Sequence, residues 1–338
     1  MPEPEDRALV TGATGFVGGL VLARLAAEGR PLRALVRNTS DRARLPVGQD
    51  AGVQPAVGRL DDEESLLRAA DGCTVVYHLA GVNRLCLADP TPMYQANVDG
   101  TRRMLAAARR AGVRRVVYTS SAAVLGGDGV HPVDESAPPP DRFTSHYARS
   151  KFEAEQVALG TGGVEVVAVN PSSVQGPGRT SGTARVFIDY LNGRLPFDLP
   201  ARFGLCYTDD CVRGHLLAEV KGVPGERYIL NSATLGNARA IELIAGIAGL
   251  PDRPRTLPLW AAVALATAAE GVARVRGREP RVCRESIRTL GHPHLYDGGR
   301  AERELGLSYT PVRDALEATV RWYVAQGLIT RRLPGLVG

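Results

Sequence analysis

Lysine is almost missing from this 338-residue chain: it stands only at Lys151 and Lys221, although Lys and Arg together number 41. Aromatic residues are scarce at 5%, so the chain lacks the aromatic-studded basic surface that holds single-stranded nucleic acid. Its net charge of +5 is spread over isolated arginines and short pairs such as Arg109-Arg110 and Arg114-Arg115. That spread argues against nucleic acid as a partner and leaves room for a locally basic pocket. Cysteine is limited to Cys73, Cys86, Cys206, Cys211 and Cys283, with no CxxC pair and no zinc-finger spacing. Simple buried thiols in a reduced, cytoplasmic setting are expected. The opening MPEPEDRALV is acidic and carries proline, where an export signal is cationic and then apolar. No apolar run reaches bilayer length: the most apolar stretch, 258–275, runs about ten residues before Glu270, roughly half a span. It reads as a packed helix, with docking at a membrane surface as the lesser alternative and no membrane insertion. His292 and His294 flank a proline with no ligand cluster nearby, so they read as loop residues and no metal is expected.

What is present suffices for a substantial core, at 44% hydrophobic and 23% charged residues. The apolar runs RALVTG, LRALVR, VQPAVG, TVVYHLA, RRVVYTS and VEVVAVN read as strands. Between them the periodicity predicts helices over 15–27, 63–70 and 93–111, and around Tyr147. Strands that are nearly all apolar and alternate with helices form a parallel sheet covered on both faces, an α/β doubly wound Rossmann architecture. The rhythm breaks after residue 170, where Gly, Pro and Ser dominate as far as 205, interrupted by one helical stretch at 184–191. A helix in YTDDCVRGHLLAEV, a strand in ERYILN and a mainly helical remainder follow. Residues 1–170 are therefore expected to form a dinucleotide-binding domain and 171–338 a smaller, mainly helical substrate lobe, with 205–231 returning to the first domain.

The first chemical motif is TGATGFVGG at 11–19, where the first strand meets the first helix. Glycines spaced G-x-x-G-x-x-G let the backbone turn tightly and approach a pyrophosphate, which the helix N-terminus then faces with its N–H groups. Thr11, Gly12, Thr14, Gly15, Phe16 and Val17 are the expected contacts. A dinucleotide whose ribose carries a free 2′-hydroxyl wants a carboxylate at the end of the second strand, and one with a 2′-phosphate wants a cation. Here LVRNTSDRAR supplies Arg37, then Arg42 and Arg44, with no carboxylate before Asp41. NADP(H) is the expected cofactor, with NAD(H) the alternative.

SHYARSK places Tyr147 and Lys151 at i and i+4, on one face of a helix. A nearby ammonium lowers a phenol's pKa, and a compact ammonium serves a tyrosine and the ribose hydroxyls together better than a planar guanidinium does. This accounts for a lysine where the chain otherwise uses arginine. At the end of RRVVYTS, Ser121 is the hydroxyl expected to hold a carbonyl oxygen beside the phenol, with Ser120 as its competitor. Asn97 and Thr101 read as structural, and Asp134-Glu135 as a solvated turn.

TGATGFVG, YHLAG, the serines of YTSSAAV, YARSK, NPSSVQGPG and YTDDCVRGHLLA occur in this order. The chain resembles the extended short-chain dehydrogenase/reductase family, most closely its dihydroflavonol 4-reductase and 3β-hydroxysteroid dehydrogenase branch. The resemblance implies a homodimer, Tyr147 as acid/base, Lys151 assisting it and binding ribose, and Ser121 orienting the carbonyl. It further implies that His78, Leu79, Ala80 and Gly81 line the cofactor, with Asn170, Pro171 and Ser173 at its nicotinamide end. Where the family commonly has GDL, with an Asp to meet the adenine, this chain has Arg59 in GRL, leaving Leu60 and Asp61, or Asp62, to take that part. Phe203 replaces the arginine that clamps a sugar nucleotide's pyrophosphate, and Ala122 and Ala123 replace a dehydratase's acidic pair. The expected activity is NADPH-dependent reduction of a fairly apolar ketone, with Val82, Val124, Val174, Phe187 and Phe203 around the substrate and Arg84 or Arg179 adding an anionic contact. The alternative is a redox-neutral epimerase or dehydratase of a sugar or sugar nucleotide that retains its NAD(P), and, outside enzymes, a dinucleotide sensor.

Overall fold

A computed structural model describes residues 6–37, 45, 52–250, 254–280, 282–292 and 294–336. The six apolar runs form β1 (Ala8–Thr11), β2 (Leu32–Val36), β3 (Val53–Val57), β4 (Val75–His78), β5 (Arg115–Thr119) and β6 (Glu165–Pro171). Helices α1 (Phe16–Ala27), α2 (Glu63–Ala70), α3 (Thr91–Tyr94), α4 (Gly100–Arg110) and α5 (His146–Leu159) run between them. Beyond lie β7 (Ser173–Gln175), α6 (Thr183–Leu191), β8 (Phe197–Asp198), β9 (Arg202–Tyr207), α7 (Thr208–Lys221), β10 (Arg227–Leu230), β11 (Ala233–Gly236), α8 (Asn237–Ala248), β12 (Arg255–Thr256), α9 (Leu259–Val275), α10 (Arg284–Gly291) and α11 (Val312–Ala325). The main sheet is all parallel, in the order β10-β6-β5-β4-β1-β2-β3. Chain direction across the sheet reverses between β1 and β4, so a crevice opens there at the strands' carboxyl ends.

Alternation along each strand sends successive side chains to opposite cores. Val75, Tyr77, Val117, Val167 and Val169 pack on one side with Val21, Leu22 and Leu25 of α1 and Val212 of α7. Val76, Val116, Tyr118, Val166 and Ala168 pack on the other with Leu66, Met104, Leu105 and Ala154. Pro55 is tolerated in β3 because that strand is the sheet's edge. A third core, including Phe187, Ile188, Phe203, Ile241, Ile244, Leu316 and Tyr323, joins α6, α8 and α11 to the small sheet β11-β9-β7. That sheet was not legible in the sequence.

Two other local features differ from the sequence reading. The helix expected at 93–111 is broken by a π turn at Gln95–Asp99, which brings Asn97 inward. Its side chain accepts from Val82 N at 2.7 Å and donates to Val82 O at 3.0 Å and Ser150 Oγ at 2.9 Å. The cysteines are not all free thiols: Cys86, after β4, is disulfide-bonded to Cys283 at the N-cap of α10. The pairing was invisible in the sequence because 197 positions separate the two.

A buried carboxylate locks α5 to the sheet. Glu155 is fully buried, accepts from Asn170 Nδ2 at 2.6 Å, and pairs with Arg227 Nη1 of β10 at 2.9 Å. Removing one member of such a pair strands the other charge, so Glu155→Ala is expected to lower stability by about 3–5 kcal/mol. Urea denaturation checks this. Separately, Cys86 and Cys283 are expected to appear as one linked peptide in a non-reducing digest and as two after reduction.

Candidate active site

The glycine turn builds the first half of the site. Gly12 has φ +71°, and a Cβ there would meet Leu79 C and Ala80 N at 2.8 Å, so the first loop can lie this close to the β4 loop only with glycine. Gly15 caps α1 with no side-chain bond, and no acidic residue stands in the first turn, so the helix's positive end is left to an external anion. In front of it is a cavity of about 570 Å³ lined by Gly12, Thr14, Gly15, Arg37, Leu60, Asp61, Leu79, Ala80 and Gly81, among others. A nearly side-chain-free cradle at a helix N-terminus, with a cation at the end of β2, fits a dinucleotide. Arg42 and Arg44 lie outside the described residues. Asp61 is held by Arg59 through bonds of 2.8 and 2.7 Å, which keeps its carboxyl at about 2. Asp62 is used differently, capping α2 by accepting from Ser65 N at 3.1 Å.

Two threonines fix what lies beneath. Thr101 Oγ1 donates to Asn97 O at 2.6 Å, so it accepts from His78 Nε2 at 3.1 Å, and His78 Nδ1 accepts from Thr11 Oγ1 at 2.8 Å. Burial holds His78 at about 3, hence neutral. His78 and Thr11 are fully buried and support the loop from below, where the sequence reading had both contacting the cofactor.

The second half is a cavity of about 280 Å³ whose lining includes Val17, Ser120, Ser121, Tyr147, Pro171, Ser173, Val174, Arg179 and Phe203. Ser145 caps α5 by accepting from Ala148 N at 3.1 Å, which sets the helix so that Tyr147 faces this cavity. Ser121, just past β5, stands beside the Tyr147 phenol at the wall of this cavity. Burial raises the phenol's pKa, while the neighbouring Ser121 hydroxyl and the Arg179 guanidinium pull it down. At neutral pH it therefore keeps its proton and can give it away. Lys151 lies one turn further on, 6% exposed, with Nζ donating to Thr119 O at 2.6 Å and lying 4.4 Å from the Tyr118 ring centroid. Burial lowers this ammonium to about 7, against the opposing pull of Glu155. Arg179 is thus a cation near the phenol that the sequence reading had weighed only as an anion contact.

Several expected contacts are elsewhere. Val82 lines the dinucleotide cavity. Val124 is fully buried at the end of a short 3₁₀ turn, packed with Ile229 and Tyr296, and Ala122 and Ala123 line the second cavity instead. Phe187 is buried in the lobe core behind Phe203, with ring centroids 6.0 Å apart. Asn170 is fully buried too, donating to Ser121 O at 3.2 Å, so it positions the serine without facing the cavity. Phe16 lies beneath Arg179, 5.4 Å from the guanidinium carbon to the ring centroid. Arg84 bonds Glu279 at the surface.

The lobe adds residues that the sequence did not reveal: Arg202, Thr289, Leu290, His294 and Tyr296 also line this second cavity. His294 Nε2 donates to Thr289 O at 2.6 Å, and Nδ1 accepts from the Tyr296 hydroxyl at 3.1 Å. Burial holds this imidazole at about 4. Glu285 of α10 accepts from Cys86 N and from His146 N, both at 2.8 Å, so the carboxylate and the disulfide together tie the lobe to the β4 loop and the start of α5. No group of three or more potential metal ligands occurs among the described residues.

Residues 8–230 match the model of the NAD dependent epimerase/dehydratase family. The chain is 34% identical to a putative dihydroflavonol 4-reductase of Synechocystis sp., covering 96% of each. It is 33% identical to 4-hydroxy-2-methyl-3-oxo-4-farnesyl-3,4-dihydroquinoline-1-oxide ketoreductase of Stigmatella aurantiaca, covering 89% of this chain and 91% of that one. Among solved structures, the dTDP-glucose 4,6-dehydratase DesIV of Streptomyces venezuelae, with NAD bound, superposes with a TM-score of 0.77 at 27% identity, covering 94% of this chain and 97% of its own. With its sheet order, its glycine turn and these similarities together, the chain belongs to the NAD-dependent epimerase/dehydratase family of extended short-chain dehydrogenases/reductases.

Proposed function

We propose that this chain is an NADPH-dependent reductase of an apolar small-molecule ketone, with Tyr147 as the proton donor. The observation that carries the reading is the meeting of the Ser121 hydroxyl and a half-buried, protonated Tyr147 at the wall of one cavity. A ketone oxygen there would take the Ser121 hydroxyl as one donor and the Tyr147 phenol as the second, and the phenol's proton would pass to it as negative charge develops. A reduced nicotinamide, when bound, supplies the hydride. Lys151 would hold the ribose from beneath, and Arg37 would meet the 2′-phosphate at the far end. The wall of Val17, Val174, Leu290 and Phe203 suits a hydrophobic body, and Arg179 and Arg202 would receive an anionic group on it. Relatives named as reductases of a dihydroflavonol and of a farnesylated quinoline oxide support such a substrate.

The sugar-nucleotide reading is weakened at two positions. Phe203 offers a pyrophosphate no charge, and Ala122 and Ala123 at the cavity wall cannot remove a proton or expel a hydroxyl.

Consumption of NADPH with a panel of apolar ketones tests the proposal. Tyr147→Phe is expected to lower kcat by about 10²–10⁴-fold while leaving the Kd for NADPH unchanged. Arg37→Ala is expected to raise KM for NADPH by about tenfold or more and to leave NADH little affected, as the loss of one charge-assisted bond predicts. Because Lys151 gives up its proton near pH 7, ketone reduction is expected to fall as pH rises through about 7. A pH–rate profile of Lys151→Arg, slower overall, should lack that limb, since a guanidinium stays charged.

A further inference from the structure

Helix α9 plays no part in the reductase reading. Its inner side, Ala262 and Ala266, is buried against Ile287 of α10, with Val263 and Leu290 beside them. A helix on a protein surface ordinarily turns charged residues outward. Here Trp260, Leu265, Val272 and Val275 are 76%, 63%, 50% and 89% exposed. Helical spacing puts these four, with Ala264 and Ala268, on one stripe opposite the buried alanines. The helix's two charged residues, Glu270 and Arg274, stand at the margin of the stripe, and Glu270 is held by Arg284 at 2.9 Å.

Arginines outnumber carboxylates around the stripe. Arg255 precedes the helix, Arg276 and Arg278 follow it, and Arg288 lies on α10. The nearby carboxylates are already engaged, Glu279 by Arg84 and Glu285 by two backbone N–H groups.

We propose that α9 lies in the headgroup layer of a bilayer containing anionic lipid, its apolar stripe towards the acyl chains and the flanking arginines on lipid phosphates. No helix among the described residues is long and apolar enough to cross a membrane, so the helix would lie in the interface plane. A second copy of the chain would hide the stripe equally well, but a two-fold contact brings each basic rim against its own image. An anionic surface complements that rim. Leu290 of α10 packs on the inner side of α9 and also lines the second cavity, so a ketone drawn from the bilayer would reach the site behind the docked helix. Only that last point rests on the reductase reading.

The test is flotation of the full chain with vesicles of phosphatidylcholine alone and of phosphatidylcholine with ~30% phosphatidylglycerol. The chain is expected to float with the anionic vesicles, with a blue shift of Trp260 emission, and to release in high salt. Leu265→Ser combined with Val272→Ser is expected to weaken binding by about tenfold or more while NADPH affinity is retained. Arg276→Glu with Arg278→Glu leaves the stripe intact and is expected to weaken binding several-fold, which keeps the test decisive should the serine variant fail to fold. A chain that stays unbound with both vesicle types would overturn the proposal, and so would equal binding to both. A dimer in light scattering that the serine variant splits would assign the stripe to a second copy instead.

Discussion

A lysine taken out of water has to be given partners, and the partners of Lys151 set where Tyr147 and Ser121 stand. An unpaired buried charge costs several kcal/mol. Lys151 is spared much of this by the Thr119 carbonyl at the end of β5, by the face of the Tyr118 ring, and by Glu155 one turn along the same helix. Glu155 is itself held by Asn170 of β6 and Arg227 of β10. These bonds seat α5 against the sheet. Tyr147 stands one turn before Lys151, and Ser121 follows the strand that the lysine grips, so fixing the helix brings the two hydroxyls together. An arginine could not give a compact charge to one carbonyl in so closed a slot. This explains why one of only two lysines stands here.

Around that fixed pair the site divides by charge and by wetting. One cavity has glycine backbone, the open end of α1, and Arg37, which suit phosphates. The other has hydroxyls among apolar side chains, with arginines 179 and 202 at its wall. Burial works in the same direction on each titratable group between them: it keeps the phenol protonated and the imidazoles of His78 and His294 neutral. The second cavity is closed by a lobe whose place depends on Glu285 and the Cys86–Cys283 bond.

Much of this was legible in the sequence because it is written in short periods. The apolar runs found their strands, helix 63–70 appeared as α2 (Glu63–Ala70), and the glycine turn and the i, i+4 spacing of Tyr147 and Lys151 are local geometry. What a local pattern cannot state is which way a residue faces once the chain leaves regular structure. Val124 turns into the core because a 3₁₀ turn follows Ser121, and Phe187 faces its own helical lobe. Asn170 was placed at the cofactor by its position at a strand end, yet its amide is used on Glu155 and Ser121. Strands as short as β7 carry too few residues to show alternation. The cavity wall from Thr289 to Tyr296 and the partner of Cys86 come from far along the chain, and no spacing announces them.

The central claim is that a net hydride transfer occurs beside Tyr147. Single-turnover reaction with NADPH deuterated at the transferring C4 position, followed by mass spectrometry of the product, tests it most directly. The account predicts one deuterium on the new carbinol carbon and one NADP⁺ released per product molecule. A product formed without label and without NADP⁺ would contradict it, and would identify a redox-neutral reaction in the same site.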